Sequence, residues 1–215
     1  MQDKANVLNS LGINVVRESV TLNIWPNNSG RCDYWYNNGY KMVLNVSWMQ
    51  QALSNSIFTP KDSLSIFKKN LINVCQKYKD RLLMVVVENE ENNPGYRNFS
   101  LTTINDYIAE LAVAKQVCDS MNISVVNGGL TTAAIRTLTY RWLLTVDSKK
   151  ANDFLIKAIP SSDWDKVKNK NNAAFESNIS NNEVVLDYCK NNLKFVNVHL
   201  YSPMVLRGTT TIATN

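Results

Sequence analysis

Residues 85–95, VVVENEENNPG, pass from three β-branched aliphatics straight into Glu88, Asn89, Glu90 and Glu91. So abrupt a change from apolar to acidic marks a buried strand ending on a polar tip. Three carboxylates within four residues raise one another's pKa, which suits a group that must hold a proton and donate it. Other groups able to do chemistry stand at the ends of other apolar runs: Arg17-Glu18, Ser47-Trp48, Asn127-Gly128-Gly129, and His199-Leu200-Tyr201. A sheet with only a structural role has no reason to gather a guanidinium, an amide–acid pair, the chain's one histidine and a tyrosine at one end.

The elements that would position these groups follow from periodicity. Apolar, β-branched runs predict strands near residues 13–18, 41–47, 82–89, 123–127 and 195–200. Residues 5–12 predict a helix with Ala5, Leu8 and Leu11 on one face and Gly12 just past its end. Residues 59–80 predict a helix with Leu64, Phe67, Leu71, Val74, Cys75 and Tyr78 inward, Thr59 at its N-cap and Pro60 in its first turn. Further helices are predicted from Ile104 to Met121, over 133–159 with a break near Asp147-Ser148, and over 181–192. Strands separated by helices mean an α/β fold with a parallel sheet, helices outside, and sites at the strands' carboxyl ends. Residues 23–40 and 161–180 read as long polar-aromatic connections, and Trp25, Trp35 or Trp48 could stack on a ligand or pack internally.

The pattern of tips resembles clan A glycoside hydrolases, the cellulase-like retaining (β/α)₈ barrels. In that family an Asn-Glu pair ends the fourth strand, commonly as Trp-Asn-Glu-Pro-Asn, where this chain has Glu88-Asn89-Glu90-Glu91-Asn92. Glu91 stands in place of the proline and Glu88 in place of an aromatic. An Arg near the tip of the second strand is matched by Arg17, and a His-x-Tyr element on the sixth by His199-Leu200-Tyr201. The resemblance spans most of residues 5–203 and implies a partial TIM barrel, strands two to six of eight.

It also implies cleavage of β-linked oligo- or polysaccharides by two carboxyl groups about 5–5.5 Å apart. Glu90 would be the acid/base, and Asn89 would bind the sugar 2-hydroxyl. Arg17 and Tyr201 would hold the nucleophile ionised. Trp48 and His199 would complete the substrate-binding set. The family's nucleophile is a Glu on the seventh strand, which this count places after residue 203, where the remaining residues hold no Glu. The chain alone is therefore expected not to turn over a glycoside. Secretion or a periplasmic location of the parent protein is a further implication. A carbohydrate-binding barrel without the reaction is the alternative; aldolases and isomerases would call for a Lys or a metal cluster at the tips.

Composition narrows the classes. The 215 residues fit one domain, 1–215, with a sizeable core. The net charge is +5, but the basic residues are scattered and not interleaved with aromatics, which reads as a solvated surface rather than a nucleic-acid footprint. Cys32, Cys75, Cys118 and Cys189 form no CxxC pair and accompany a single histidine, so buried free thiols are expected and no metal site. No nucleotide-binding glycine motif follows a strand, so no cofactor is expected. No apolar run reaches the roughly 18 residues of a membrane span, and residues 1–10 lack the features of a signal segment.

Overall fold

The computed structural model describes residues 1–50 and 55–199. The chain divides into two compact units, one formed by Met1–Gly129 with Val184–Asn197, the other by Leu130–Glu183 with the segment from Val198.

The first unit is α/β. After helix α1 (Gln2–Ser10), strands β1 (Val15–Thr21), β2 (Lys41–Ser47), β3 (Leu82–Val87) and β4 (Ser124–Asn127) form one parallel sheet in chain order, β1-β2-β3-β4. The connections carry α2 (Gly30–Asn37), α3 (Leu64–Tyr78) and α4 (Ile104–Ser120). Parallel strands laid down in order by right-handed crossovers put their helices on one face. The register then sorts side chains by alternation. Val20, Leu44, Val46, Val85 and Val87 share the helix-covered face, where Phe67, Leu71, Val74 and Tyr78 of α3 and Tyr107, Leu111 and Cys118 of α4 are buried. Arg17, Ser19, Thr21, Asn45 and Ser47 share the opposite face. A bulge between β2 and β3 leaves Leu83 without a register partner, and it is exposed.

The second unit is mainly helical. A two-stranded parallel sheet of β5 (Leu130–Thr131) and β6 (Val198–His199) accompanies α5 (Thr132–Val146), α6 (Ser148–Ala158) and α7 (Trp164–Asn169). The long α8 (Ala173–Asn192) belongs to both units, passing from one to the other at Val184. Tyr140, Ala151, Leu155, Ile159 and Val167 form a core with Phe154, Trp164 and Phe175 packed on it. The break expected near Asp147 is there, and Asp147 caps α6 by accepting the Lys150 N–H.

Several expectations need correction. β1 runs to Thr21, so Arg17 sits mid-strand rather than at a tip; Ser19 and Thr21 are polar, which hid a continuation whose Val20 is buried. The fifth predicted strand shrinks to Val198–His199, pairing β5 instead of the main sheet, because Phe195 and Val196 lie exposed rather than in a ladder. The segment 23–40 contains α2, which buries Cys32 and Trp35 three residues apart, too short a stripe to read as a helix. The segment 161–180 contains α7 and the start of α8, masked by asparagine and lysine. Thr59 caps nothing; a 3₁₀ turn (Lys61–Ser63) precedes α3 and the Thr59 N–H donates to Glu110. Leu11 is exposed, although Gly12 does take the left-handed φ of 68° that ends α1. All four cysteines are free and buried.

Candidate functional site

The face carrying Arg17, Ser19, Thr21, Asn45 and Ser47 lines a concavity of about 500 Å³, completed by Glu18, Arg31, Gln50 and Asn89. A valine-rich sheet that buries both faces would be apolar here. Instead β1 and β2 place alternate polar side chains on the face opposite the helices, so the sequence alternation itself builds a wet wall. The Arg17 side chain climbs from mid-strand: its Nη2 donates to Asn45 Oδ1 at 3.1 Å and to Asn89 Oδ1 at 3.2 Å. One guanidinium thus ties β1 and β2 to the turn after β3. Asn127, by the register, lies with Val87 on the helix-covered face and not with this group.

Past Val87 the backbone turns sharply. Glu88 and Glu90 both adopt left-handed φ, 65° and 45°, a region that side chains other than glycine, asparagine and aspartate visit rarely. Such strain persists only where surrounding contacts hold it. The Glu88 N–H donates to Val46 O at 2.7 Å, and its carboxylate accepts from the Trp48 N–H at 3.0 Å and from Arg97 Nη2 at 2.5 Å. Arg97 Nη2 also reaches Asn89 O at 3.4 Å, and the guanidinium lies over the Phe58 ring at 4.7 Å. The Glu90 N–H donates to Gly128 O at 3.3 Å, and its Oε2 accepts from Asn93 Nδ2 at 2.7 Å. Glu90 is 4% exposed and does not line the concavity.

Behind the turn lies a buried polar cluster that periodicity gave no reason to expect. Glu88, Glu91 and Glu110 are all fully buried. Burial pushes the Glu91 carboxyl up to about 7, with hydrogen bonding from Asn127 and the Arg97 charge pulling the other way. Repulsion from Glu88 is the smallest contribution, so desolvation and not crowding of carboxylates does the raising. Glu110 is likewise raised, chiefly by burial and then by Glu88. Glu110 was not singled out from the sequence; the signal that could have found it is its place three residues after Tyr107 and one before Leu111, on the apolar stripe.

The remaining expected site residues fall as follows. Trp48 is half-buried and its described polar contacts are backbone ones, the N–H to Glu88 and the carbonyl from the Asn23 N–H at 3.1 Å. Trp35 is buried against Tyr40, ring centroids 4.9 Å apart, which makes it core. Trp25 stacks edge-on to Tyr78 with Lys77 over its ring. His199 pairs with Thr131 in the β5–β6 sheet of the second unit, its carbonyl accepting from the Thr132 hydroxyl at 2.5 Å. Tyr201 lies outside the described residues. Arg17 and Asn89 are therefore brought together, with Asn45 as a partner that the sequence had not singled out.

Among the described residues no three His, Cys, Asp or Glu side chains are disposed to hold a metal ion, and no helix is long and apolar enough to cross a membrane. Comparison with models of protein families, with curated proteins and with solved structures found no match.

Proposed function

We propose that this chain forms an arc of a (β/α)₈ barrel of the cellulase-like retaining glycosidase kind and acts on β-linked oligo- or polysaccharides. The observation that carries the reading is the hydrogen bond from Arg17 to Asn89, which joins β1 to the turn after β3 at the wall of a polar concavity. Amides, hydroxyls and guanidinium are the groups that pair with sugar hydroxyls. The sheet order supports a barrel over a doubly wound fold, since β1-β2-β3-β4 contains no switch point at which the order reverses.

In this reading Glu90 is the acid/base, on a turn whose strained backbone is held from three sides. Asn89 offers its amide to the 2-hydroxyl while its oxygen stays on Arg17. Trp48 stays in the proposed substrate-binding set; His199 belongs to the second unit and Tyr201 lies outside the described residues. The reaction needs a second carboxyl group about 5–5.5 Å from the first, and we assign no described residue to it. The burial of Glu90 off the concavity favours a second reading, a cleft that binds the sugar without cleaving it.

Calorimetry with a panel of β-linked oligosaccharides, paired with release from an activated aryl β-glycoside, tests both. Binding that weakens at least tenfold in Asn89→Ala and Arg17→Met is the expected result on both readings. Release that disappears in Glu90→Gln would show a complete catalytic pair and decide for the hydrolase. Absence of binding to every member of the panel would overturn the carbohydrate reading.

A further inference from the structure

Glu91 sits at a junction that ties the end of β4 to the turn carrying Asn89 and Glu90. Its Oε1 accepts from Asn127 Nδ2 at 2.8 Å, and that same nitrogen donates to Asn197 O at 3.0 Å. Asn127 and Asn197 complete a reciprocal pair, Asn127 Oδ1 accepting from the Asn197 N–H at 2.7 Å and Asn127 O from Asn197 Nδ2 at 3.3 Å. On the other side, Gly128 O accepts from the Glu90 N–H, and the Gly128 N–H donates to the Tyr107 hydroxyl, which itself donates to Val87 O. Gly128 presses on Glu91: a Cβ there would come within 2.8 Å of Glu91 Oε2.

Glu91 Oε2 is the unusual atom. It is buried and has no hydrogen-bond partner among the described residues. The charged and titratable groups around it are Glu88 on its own segment, Arg97, Tyr107 on α4 and Cys189 on α8, with Glu110 beyond them. Arg97 is the one cation in that set, and it is committed to Glu88. An ionised Glu91 would thus be an anion in a dry site, met by the Asn127 amide and its own backbone N–H, with no cation of its own, whereas a neutral carboxyl leaves no unpaired charge behind.

We propose that Glu91 is a proton-dependent positioning residue: its neutral carboxyl closes the junction between the end of β4 and the Asn89–Glu90 turn, and ionisation loosens it. Water must reach Oε2 to solvate the anion, and Gly128 stands in the way. Moving Gly128 weakens the bond its carbonyl accepts from Glu90. Burial has already raised the carboxyl to about 7, so the change falls near neutral pH. The folded-state value lies above the 4.5 of a free carboxyl. The contribution to stability is therefore complete below about 4.5 and is lost as pH rises to about 7. None of this rests on the carbohydrate reading, and the test uses no substrate.

Hydrogen exchange of the Glu90 and Gly128 amides, corrected for the intrinsic pH dependence of exchange, is measured from pH 5 to 8 in the wild-type chain and in Glu91→Gln. The variant keeps the acceptor for Asn127 and carries no charge at any pH. Wild-type protection at both amides is expected to fall by roughly tenfold or more between pH 5 and 7 and to level off above that, and to stay flat throughout in Glu91→Gln. Parallel pH profiles in the two proteins would overturn the proposal. Carbon-13 titration of the wild-type Glu91 carboxyl needs no variant: a midpoint near 7 supports the proposal, and one in the ordinary carboxylate range overturns it.

Discussion

Two arginine–glutamate pairs in the first unit have the same length and differ in how far water reaches the arginine. Arg97 Nη2 lies 2.5 Å from Glu88 Oε2 with both side chains fully buried, and Arg31 Nη2 lies 2.5 Å from Glu18 Oε1 with the arginine 68% exposed and the glutamate 7%. Distance does not separate them; solvent does. Water reaches the second pair on its arginine side, so its attraction is partly screened and salt-sensitive. In the first pair both charges have left water, and each is tolerable only because the other is present. The buried pair also organises its surroundings, since Glu88 fixes the Trp48 N–H and Arg97 reaches the Asn89 carbonyl. Arg97 Nε and Nη1, by contrast, have no partner among the described residues, so the pair is costly to keep as well as costly to break. That is the mark of a group retained for shape at the Asn89–Glu90 turn rather than for net stability.

The comparison breaks most visibly at Arg97. Arg97→Met strands the Glu88 carboxylate in a dry site and is expected to cost about 3–5 kcal/mol in urea unfolding. Adding Glu88→Gln should recover part of that loss, because the stranded charge is gone. A loss under about 1 kcal/mol in the single variant would put the buried pair in the same class as the half-exposed one. A smaller effect is expected beside it at Gly128→Ala. The new Cβ would stand 2.7 Å from the Glu88 carbonyl carbon and 2.8 Å from its oxygen, backbone that cannot swing aside. Overpacking of that kind costs about 1–3 kcal/mol, read as a lowered melting temperature. The smallest effect belongs to the half-exposed pair. A double-mutant cycle with Arg31→Ala and Glu18→Gln should give a coupling below about 1 kcal/mol that shrinks further in 0.5 M salt. A coupling as large as that of the buried pair would remove solvent as the deciding factor.

The strands of the main sheet were legible because buried parallel strands are written as continuous aliphatic runs. VVNG, MVVVEN and MVLNVS each name their strand and its end within a residue or two. The α3 stripe of Phe67, Leu71, Val74 and Tyr78 was equally plain, since four residues at helical spacing have only one face to bury. The short helices in 23–40 and 161–180 were not legible: one or two buried side chains per turn carry no periodic signal, and tertiary packing supplies the rest of their stability. The extent of β1 was hidden for a related reason, its outward positions being polar on a face that is not packed against helices.

Residue type and spacing set Asn89 and Glu90 just past the end of β3, where they lie, but set Arg17 at a tip when it lies mid-strand. They could not say which face each would take. A shift of one residue along a strand reverses a side chain's direction, and that alone put Arg17 with Asn45 on the open face while Asn127 went to the helix side with Glu91. Nor could they say which of four neighbouring polar residues would stay in water. Glu88 and Glu91 are written beside Asn89 in the chain, yet both are fully buried while Asn89 lines the concavity. Local sequence has no measure of desolvation; it is set by Arg97, Tyr107, Asn127 and Cys189 arriving from distant parts of the chain, and it is desolvation that decides the charge each carboxyl carries.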